Sequence, residues 1–322
     1  MQHRKKEVIF MHYTGTIWRP PYEAGSLLLE VTAGCTWHSC KFCTLYDDLP
    51  FRFRMSPLED VEADLLDAQV ILRSWQTRLE TQLQQLPESR RKIGRVFLTG
   101  ANPFVLKAER LKTIAELIRR YFPECQSIGC FARVTDIALK SNAELTALHT
   151  LGYDGLTIGV ETGDDVALRF MNKGYTSGDI LTQTARLDDA GIGYHFFYLA
   201  GIAGADKSVE SARISAGIFN QTHPRRIGSS MLTVYPESAL HREIRSGNWA
   251  EAGEFEKLQE VKTLIEELTI PVWFGTLGAS NAVQVTGMLP QDRGAMLTHL
   301  QRACAPDNAA ALRHYRTHLR HL

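Results

Sequence analysis

The chain has 322 residues, 44% of them apolar, with Lys+Arg and Asp+Glu balanced at 36 each. That length and apolar share suffice for one large α/β domain, or for a domain with an extension. The charge balance excludes a global pull toward nucleic acid or an anionic membrane surface. No apolar run reaches the ~18 residues of a membrane span, and the stretch behind the basic residues 1–7 is too short for a signal peptide. Six cysteines in a chain this long make no disulfide framework. Reduced thiols in such a chain place it in the cytoplasm.

Apolar strand-like runs alternate with helical patterns. Residues 27–31 read as a buried strand. A loop holding three cysteines follows, and then a long helix over 56–86. Its start is marked by Ser56, Pro57 and Glu59, a hydroxyl cap, a first-turn proline and an acid. Strands are predicted at 96–99, 127–132, 156–160, 194–199 and 230–234. Helices are predicted at 108–121, 142–151, 177–190 and 208–221. Repeated βα units imply a parallel sheet with its helices outside. Right-handed crossovers would curl the series into a doubly wound sheet or an open barrel. Beyond residue 240 the pattern changes to an acidic helix over 251–268, a short strand-like run at 272–275, a helix over 289–302 and a basic tail.

The chemistry concentrates in Cys35-Thr-Trp-His-Ser-Cys40-Lys-Phe-Cys43. Three thiolates can hold three irons of a [4Fe–4S] cube and leave the fourth open for chemistry. A structural zinc site normally takes four ligands in well-separated pairs, and this loop offers three thiols and His38 with no second CxxC. A disulfide is disfavoured by the odd number. The other cysteines are scattered: Cys125 and Cys130 flank one strand, and Cys304 lies far away. A second cluster would need about four ligands.

Further signals follow the other strands. Thr99-Gly100-Ala101-Asn102 ends the second strand. Gly159-Val-Glu161 ends the fourth and runs on to Met171-Asn172-Lys173-Gly174. Gly201-Ile-Ala-Gly204 follows the fifth, and Tyr235-Pro-Glu-Ser238 follows the sixth. Strand-end loops are where parallel barrels and sheets build their sites. Gly201 to Lys207-Ser208 has the length of a phosphate loop, but Asp206 stands where that loop requires glycine.

The cysteine loop after the first strand, with the aromatic Phe42 before the last cysteine and six βα units, resembles the radical S-adenosylmethionine (radical SAM) superfamily. The spacing here is C-x4-C-x2-C, one residue longer than the usual CxxxCxxC. Within the family the chain looks like the oxygen-independent coproporphyrinogen oxidase and Elp3-MiaB-NifB type. The resemblance spans roughly residues 20–240. It implies an α/β fold, a partial (β/α)6 TIM-like radical SAM barrel with a C-terminal α-rich extension. The corresponding division is an N-terminal segment 1–25, a core 26–240, and 241–322 as a possible substrate-specificity element.

The resemblance also implies roles. Cys35, Cys40 and Cys43 would be the ligands of a [4Fe–4S] cluster that binds S-adenosylmethionine (SAM). Phe42 would pack near adenine. Gly100 would admit the methionine ammonium closely, with Thr99 and Asn102 as acceptors in place of the family's missing acid. Glu161 would accept from the ribose hydroxyls, and Lys173 would pair with the methionine carboxylate. Gly201 and Gly204 would flank adenine. Arg133 would face the cavity or form a salt bridge across the strand ends. One-electron cleavage of SAM would give a 5′-deoxyadenosyl radical that abstracts hydrogen from a small-molecule substrate. The electron would come from a flavodoxin- or ferredoxin-type donor, with neither membrane nor nucleic acid as partner. The catalytic residue that meets the substrate is not specified. An RNA-modifying enzyme of methylthiolation type predicts a second cluster or an attached RNA-binding barrel. A non-catalytic iron–sulfur or zinc redox sensor leaves Glu161 and Lys173 without a role. Tyr46, Tyr198 and Cys304 read as packing residues rather than hydrogen donors. His314, His318 and His321 share a face of the tail helix and read as solvated. Ser280-Asn281 and residues 289–293 fall where a specificity element is expected.

Overall fold

The computed structural model describes residues 11–78, 92–304 and 308–318. Its main sheet has eight strands among those residues: β1 (Leu27–Glu30), β4 (Arg95–Thr99), β5 (Ser127–Ala132), β6 (Leu156–Glu161), β7 (Tyr194–Ala200), β8 (Arg226–Met231), β9 (Val272–Gly275) and β10 (Thr286–Leu289). They neighbour one another in chain order. All pairings are parallel except that of β10 with β9. A small separate ladder pairs β2 (Thr32–Gly34) with β3 (Phe53–Met55).

The helices are α1 (Leu58–Arg78), α2 (Ala108–Tyr121), α3 (Val134–Ala138), α4 (Asn142–Thr150), α5 (Asp165–Phe170), α6 (Ser177–Ala190), α7 (Ser208–Phe219), α8 (Ala239–Arg245), α9 (Glu254–Glu267), α10 (Arg293–Ala303) and α11 (Ala309–Thr317). Each has a local cause. Helix α2 buries Leu111, Ile114, Ala115 and Ile118 on one stripe and places Arg119 and Arg120 in its last turn, where cations suit the helix dipole. Thr176 and Asp179 cap α6 reciprocally, and Gly191 closes it at φ 77°. Strand β7 is buried at every residue but Phe197, as expected of a strand covered on both sides. The result is a partial TIM-like barrel. The end of the predicted first long helix, beyond residue 78, lies outside the described residues, as does the basic segment 1–7.

Two boundaries differ from the sequence expectation. The sixth strand begins at Arg226, before the predicted 230–234. Its polar residues Gly228 and Ser230 alternate with buried Ile227, Ser229 and Met231, so the apolar run 231–234 is the strand's exit rather than its body. The strand-like run Val272–Gly275 joins β8 in parallel, so the main sheet continues through the residues after 240.

The N-terminal ends of the strands are stoppered by the 3-10 turn Pro21–Glu23. Glu23, 2% exposed, pairs with Arg95 of β4 at 2.6 Å. Tyr22 shares a hydrogen bond with Thr157 of β6 at 2.8 Å and meets the His195 ring of β7 edge-on. Arg226 of β8 stacks on both Tyr22 and Trp273.

Candidate functional site

The opposite, C-terminal ends of the strands carry the cysteines. The β2–β3 ladder closes the base of their loop, where the Cys35 amide donates to the Arg52 carbonyl at 2.9 Å. His38 sits at φ 40° and donates its amide to Cys35 Sγ at 3.4 Å. That left-handed residue turns the spacer between Cys35 and Cys40 back toward Cys35.

Neighbouring loops hold this one in place. Trp37 Nε1 donates to the Asn172 carbonyl at 2.7 Å, and Asn172 Nδ2 donates to the Ser39 carbonyl at 3.0 Å. The Trp37 ring lies so close over Gly174 that a β-carbon there would come within 2.6 Å. The Lys41 amide donates to Met171, and the Leu240 amide of α8 donates to the Lys41 carbonyl at 2.7 Å. Lys41 Nζ pairs with Glu243 at 2.7 Å. Tyr235-Pro-Glu-Ser238 therefore serves by leading into α8, whose N-terminus Ser238 caps.

Cys35, Cys40 and Cys43 are free and half-buried. Burial pushes the Cys40 thiol up, against the pull of Lys173 and Arg133. Burial and the neighbouring Cys40 and Cys35 push Cys43 up to about 12. Bare thiolates are disfavoured here, and a bound cationic group would reverse that. Among the described residues, no three His, Cys, Asp or Glu side chains form a group able to hold a single metal ion. A cubane instead takes each thiolate on a different iron.

Beside the loop, Glu161 and Lys173 form a buried ion pair at 3.0 Å. Glu161 ends β6 at a register shift with φ 61°, the kind of bulge that re-aims a side chain at a strand end. Burial alone would lower Lys173, but Glu161 holds it well above the ordinary lysine range. The ammonium also lies 5.6 Å from the rings of Phe42 and Tyr175. The two candidates thus satisfy each other. Of the two readings of Arg133, cavity-facing or salt-bridged, the second is not seen among the described residues. Its guanidinium stacks on Trp37 at 4.7 Å and donates to Thr135 Oγ1 and the Lys173 carbonyl.

The end of β4 is different in kind. Gly100 has φ 123°, and any side chain there would overlap Thr32. Thr99, Asn102 and Thr32 are fully buried, yet Thr99 Oγ1, Asn102 Oδ1 and Thr32 Oγ1 have no hydrogen-bond partner among the described residues. Orphaned buried oxygens are costly and rare, and they need an explanation. A bound cationic donor supplies one. Asn102 Oδ1 can only accept, and the two threonine hydroxyls can accept as well as donate.

The end of β7 is closed. Gly201 donates its amide to Glu260 Oε2 at 2.8 Å, and Tyr198 Oη donates to Glu260 Oε1 at 2.6 Å. A β-carbon on Gly201 would strike Lys257 of α9, and one on Gly204 would strike Trp249. The Cβ sides of both glycines therefore face residues 249–260. Burial pushes the Glu260 carboxyl up to about 7. At β8, Asn281 Nδ2 donates to the Ser229 carbonyl and Ser280 Oγ accepts from the Met231 amide, bringing the 276–285 loop onto this end of the sheet.

Sequence reasoning missed Trp37, Tyr175, Thr32 and Glu260. Trp37 had a signal, being an aromatic residue inside the cysteine loop. Glu260 had none, since it lies 59 residues from Gly201. Cys130 is fully buried in β5. Tyr198 is occupied by Glu260. The His314 and His318 rings stack at 4.0 Å, and His321 lies outside the described residues.

Comparison with known proteins supplies the family. No curated protein sequence matches the chain. Among solved structures, coproporphyrinogen III oxidase (HemN) from Escherichia coli is 16% identical with TM-score 0.52, over 75% of this chain and 51% of that one. Elp3 from Methanocaldococcus infernus is 15% identical with TM-score 0.51, over 78% and 56%. The radical SAM methyltransferase TsrM from Kitasatospora setae is 16% identical with TM-score 0.51, over 69% and 39%. The chain spans less than two thirds of the length of each, and at these identities the likeness is one of fold. The model of the radical SAM superfamily matches residues 29–208, from β1 to the start of α7. The chain belongs to the radical SAM superfamily and is an enzyme whose cofactors are a [4Fe–4S] cluster and S-adenosylmethionine.

Proposed function

We propose that the chain cleaves SAM reductively and uses the resulting radical to abstract hydrogen from a small-molecule substrate. The observation that carries this reading is the meeting of three elements at one end of the sheet. These are the three-thiol loop, the buried Glu161–Lys173 pair, and the orphaned oxygens of Thr32, Thr99 and Asn102. The cluster and SAM, when bound, supply electron transfer and the 5′-deoxyadenosyl radical.

The chain's own residues bind, orient and exclude water. Cys35, Cys40 and Cys43 hold the cluster. Thr99 and Asn102 accept from the SAM ammonium, and Gly100 allows that approach. Lys173 pairs with the SAM carboxylate, as a point charge rather than a fork. Glu161, released from Lys173, accepts from the ribose hydroxyls. Phe42, beside Lys173, packs on the adenosyl group, and the Gly201–Gly204 turn forms the adenine wall that α9 supports. The loop at 276–285 bears on substrate choice. Half-buried cysteines on an outer loop give a flavodoxin- or ferredoxin-type donor a short path to the cluster. Among the described residues no helix is long and apolar enough to cross a membrane. We place the reaction in the cytoplasm, where thiols stay reduced.

The test is anaerobic. The protein is reconstituted with iron and sulfide, reduced with dithionite, given SAM and assayed for 5′-deoxyadenosine. Production that Cys40→Ala abolishes, with the melting temperature kept, supports the reading. Survival of cleavage in that variant overturns the ligand assignment. No product from wild type, with zinc in place of iron, overturns the reading as a whole.

A further inference from the structure

We infer that Asp136, behind the site, is a positioning residue that fixes the side-chain amide of Asn102 so that its oxygen faces the SAM ammonium. This rests on the reading of the β4 end as part of a SAM site.

The argument is one of donors and acceptors. Asn102 Nδ2 donates to Thr36 Oγ1 at 2.8 Å and to both Asp136 carboxylate oxygens at 3.2 Å. Both amide hydrogens are therefore engaged. Rotating the amide by half a turn would point its oxygen at a carboxylate, acceptor against acceptor. An Asn amide has no intrinsic preference between these two states; only its surroundings can choose. Here the surroundings are Asp136, 2% exposed, and Asn102 itself is fully buried. The state that Asp136 enforces leaves Oδ1 as the orphan.

Asp136 is itself held. It is the third residue of α3, and its Oδ2 accepts from the Arg133 amide at 2.8 Å. Burial raises its pKa to about 6, opposed by the Arg133 amide and the charges of Arg133 and Lys140, so it is ionised at pH 8. Lys140 donates to the Phe104 and Asp136 carbonyls, so it braces the turn after Asn102 and α3 together. Thr36 follows Cys35 directly, so the same amide also links the ammonium cradle to the cysteine loop. The acid absent from the β4 turn is thus present one residue layer back. It makes a neutral amide act as a directed acceptor.

The test is a swap. SAM dissociation constants are measured at pH 8 on cluster-loaded protein, beside melting temperatures. Asp136→Asn frees the amide to turn and raises the SAM dissociation constant by roughly tenfold or more, the worth of a hydrogen bond to a charged group. Asn102→Asp alone sets two carboxylates against each other and weakens binding as well. The double variant Asn102→Asp with Asp136→Asn puts an acid on the turn and an amide behind it, and recovers binding toward wild type. For a SAM analogue lacking the amino group, Asp136→Asn changes affinity little. If Asp136→Asn weakens SAM and the analogue equally and the swap fails to recover binding, Asp136 is structural only and the inference falls. If wild type binds SAM and Asp136→Asn leaves that affinity unaltered, the inference falls alone. If wild type does not bind SAM, the functional reading falls and takes this one with it.

Discussion

The two ends of the sheet use buried charge in opposite ways. At the N-terminal end, Glu23 meets Arg95, which also donates to Ser127 and to the carbonyls of Asp154 and Gly155. Glu23 and Arg95 are each other's partners, Arg226 rests on the Tyr22 and Trp273 rings, and the turn at 21–23 stoppers the barrel. At the C-terminal end, among the described residues, Glu161 and Lys173 have only each other within ion-pair distance, and three threonine and asparagine oxygens have no donor. The first arrangement is built around an ion pair with several further hydrogen bonds, although His195 Nδ1 is left unpaired there among the described residues; the second combines an ion pair with three unpaired oxygens. Buried polar groups are worth most when fully satisfied, so the three neighbouring unpaired oxygens at the β4 end, beside the Glu161–Lys173 pair, are what the proposed SAM site rests on.

The contrast can be attacked directly. The largest expected effect is on stability at the stoppered end. Arg95→Met leaves Glu23 buried without its cation and costs about 3–5 kcal/mol, read by denaturant unfolding. Its SAM affinity, measured on the folded fraction, stays at the wild-type value.

Next in size is a pair of matched double variants. Glu161→Gln with Lys173→Met removes both charges at once, so stability stays near wild type while the SAM dissociation constant rises about tenfold or more. Glu23→Gln with Arg95→Met, the same chemistry at the other end, costs more stability because Arg95 also serves Ser127 and two carbonyls, and leaves SAM affinity unchanged. Equal effects of the two doubles on SAM affinity would erase the distinction between the ends.

The smallest effects are in pH dependence, with opposite signs. His195 is buried at the stoppered end, and burial with nearby Arg226 and Arg95 lowers its pKa to about 4. Between about pH 6.5 and 4 the unfolded chain takes up this proton and the folded chain does not. Stability from this group is full above pH 6.5 and is lost as pH falls through 4. Glu260, under the Gly201 turn, has a pKa raised from 4.5 to about 7. Its contribution is full below pH 4.5 and is lost as pH rises through 7. Melting curves from pH 4 to 8 should flatten on the acid side in His195→Gln and on the neutral side in Glu260→Gln, each by about a few °C.

Much of the fold was legible where one physical cause acts locally. The predicted bounds of α2, β5 and α6 coincide with the observed ones, since apolar periodicity, caps and breakers all lie within the segment. The β2–β3 ladder was not legible, because Thr32–Gly34 and Phe53–Met55 are too short to show a period. The entry of Val272–Gly275 into the main sheet was also hidden, since four apolar residues do not say which edge they meet.

The candidate site divides the same way. The amino-acid sequence by itself determined the candidate groups: three thiols at workable spacing, a strand-end acid and a lysine twelve residues on, and glycines where chains approach. Those are covalent facts, ordered along the chain by the βα repeat. Only the tertiary structure decided which groups are finished and which are not. It paired Glu161 with Lys173, gave Tyr198 and Gly201 to Glu260, laid Trp37 between Arg133 and Gly174, and left Thr32, Thr99 and Asn102 with oxygens unpaired. It also put Asp136 behind Asn102. Hydrogen-bond satisfaction depends on distance and burial, and residues 34 or 59 positions apart acquire those only when the sheet closes around them.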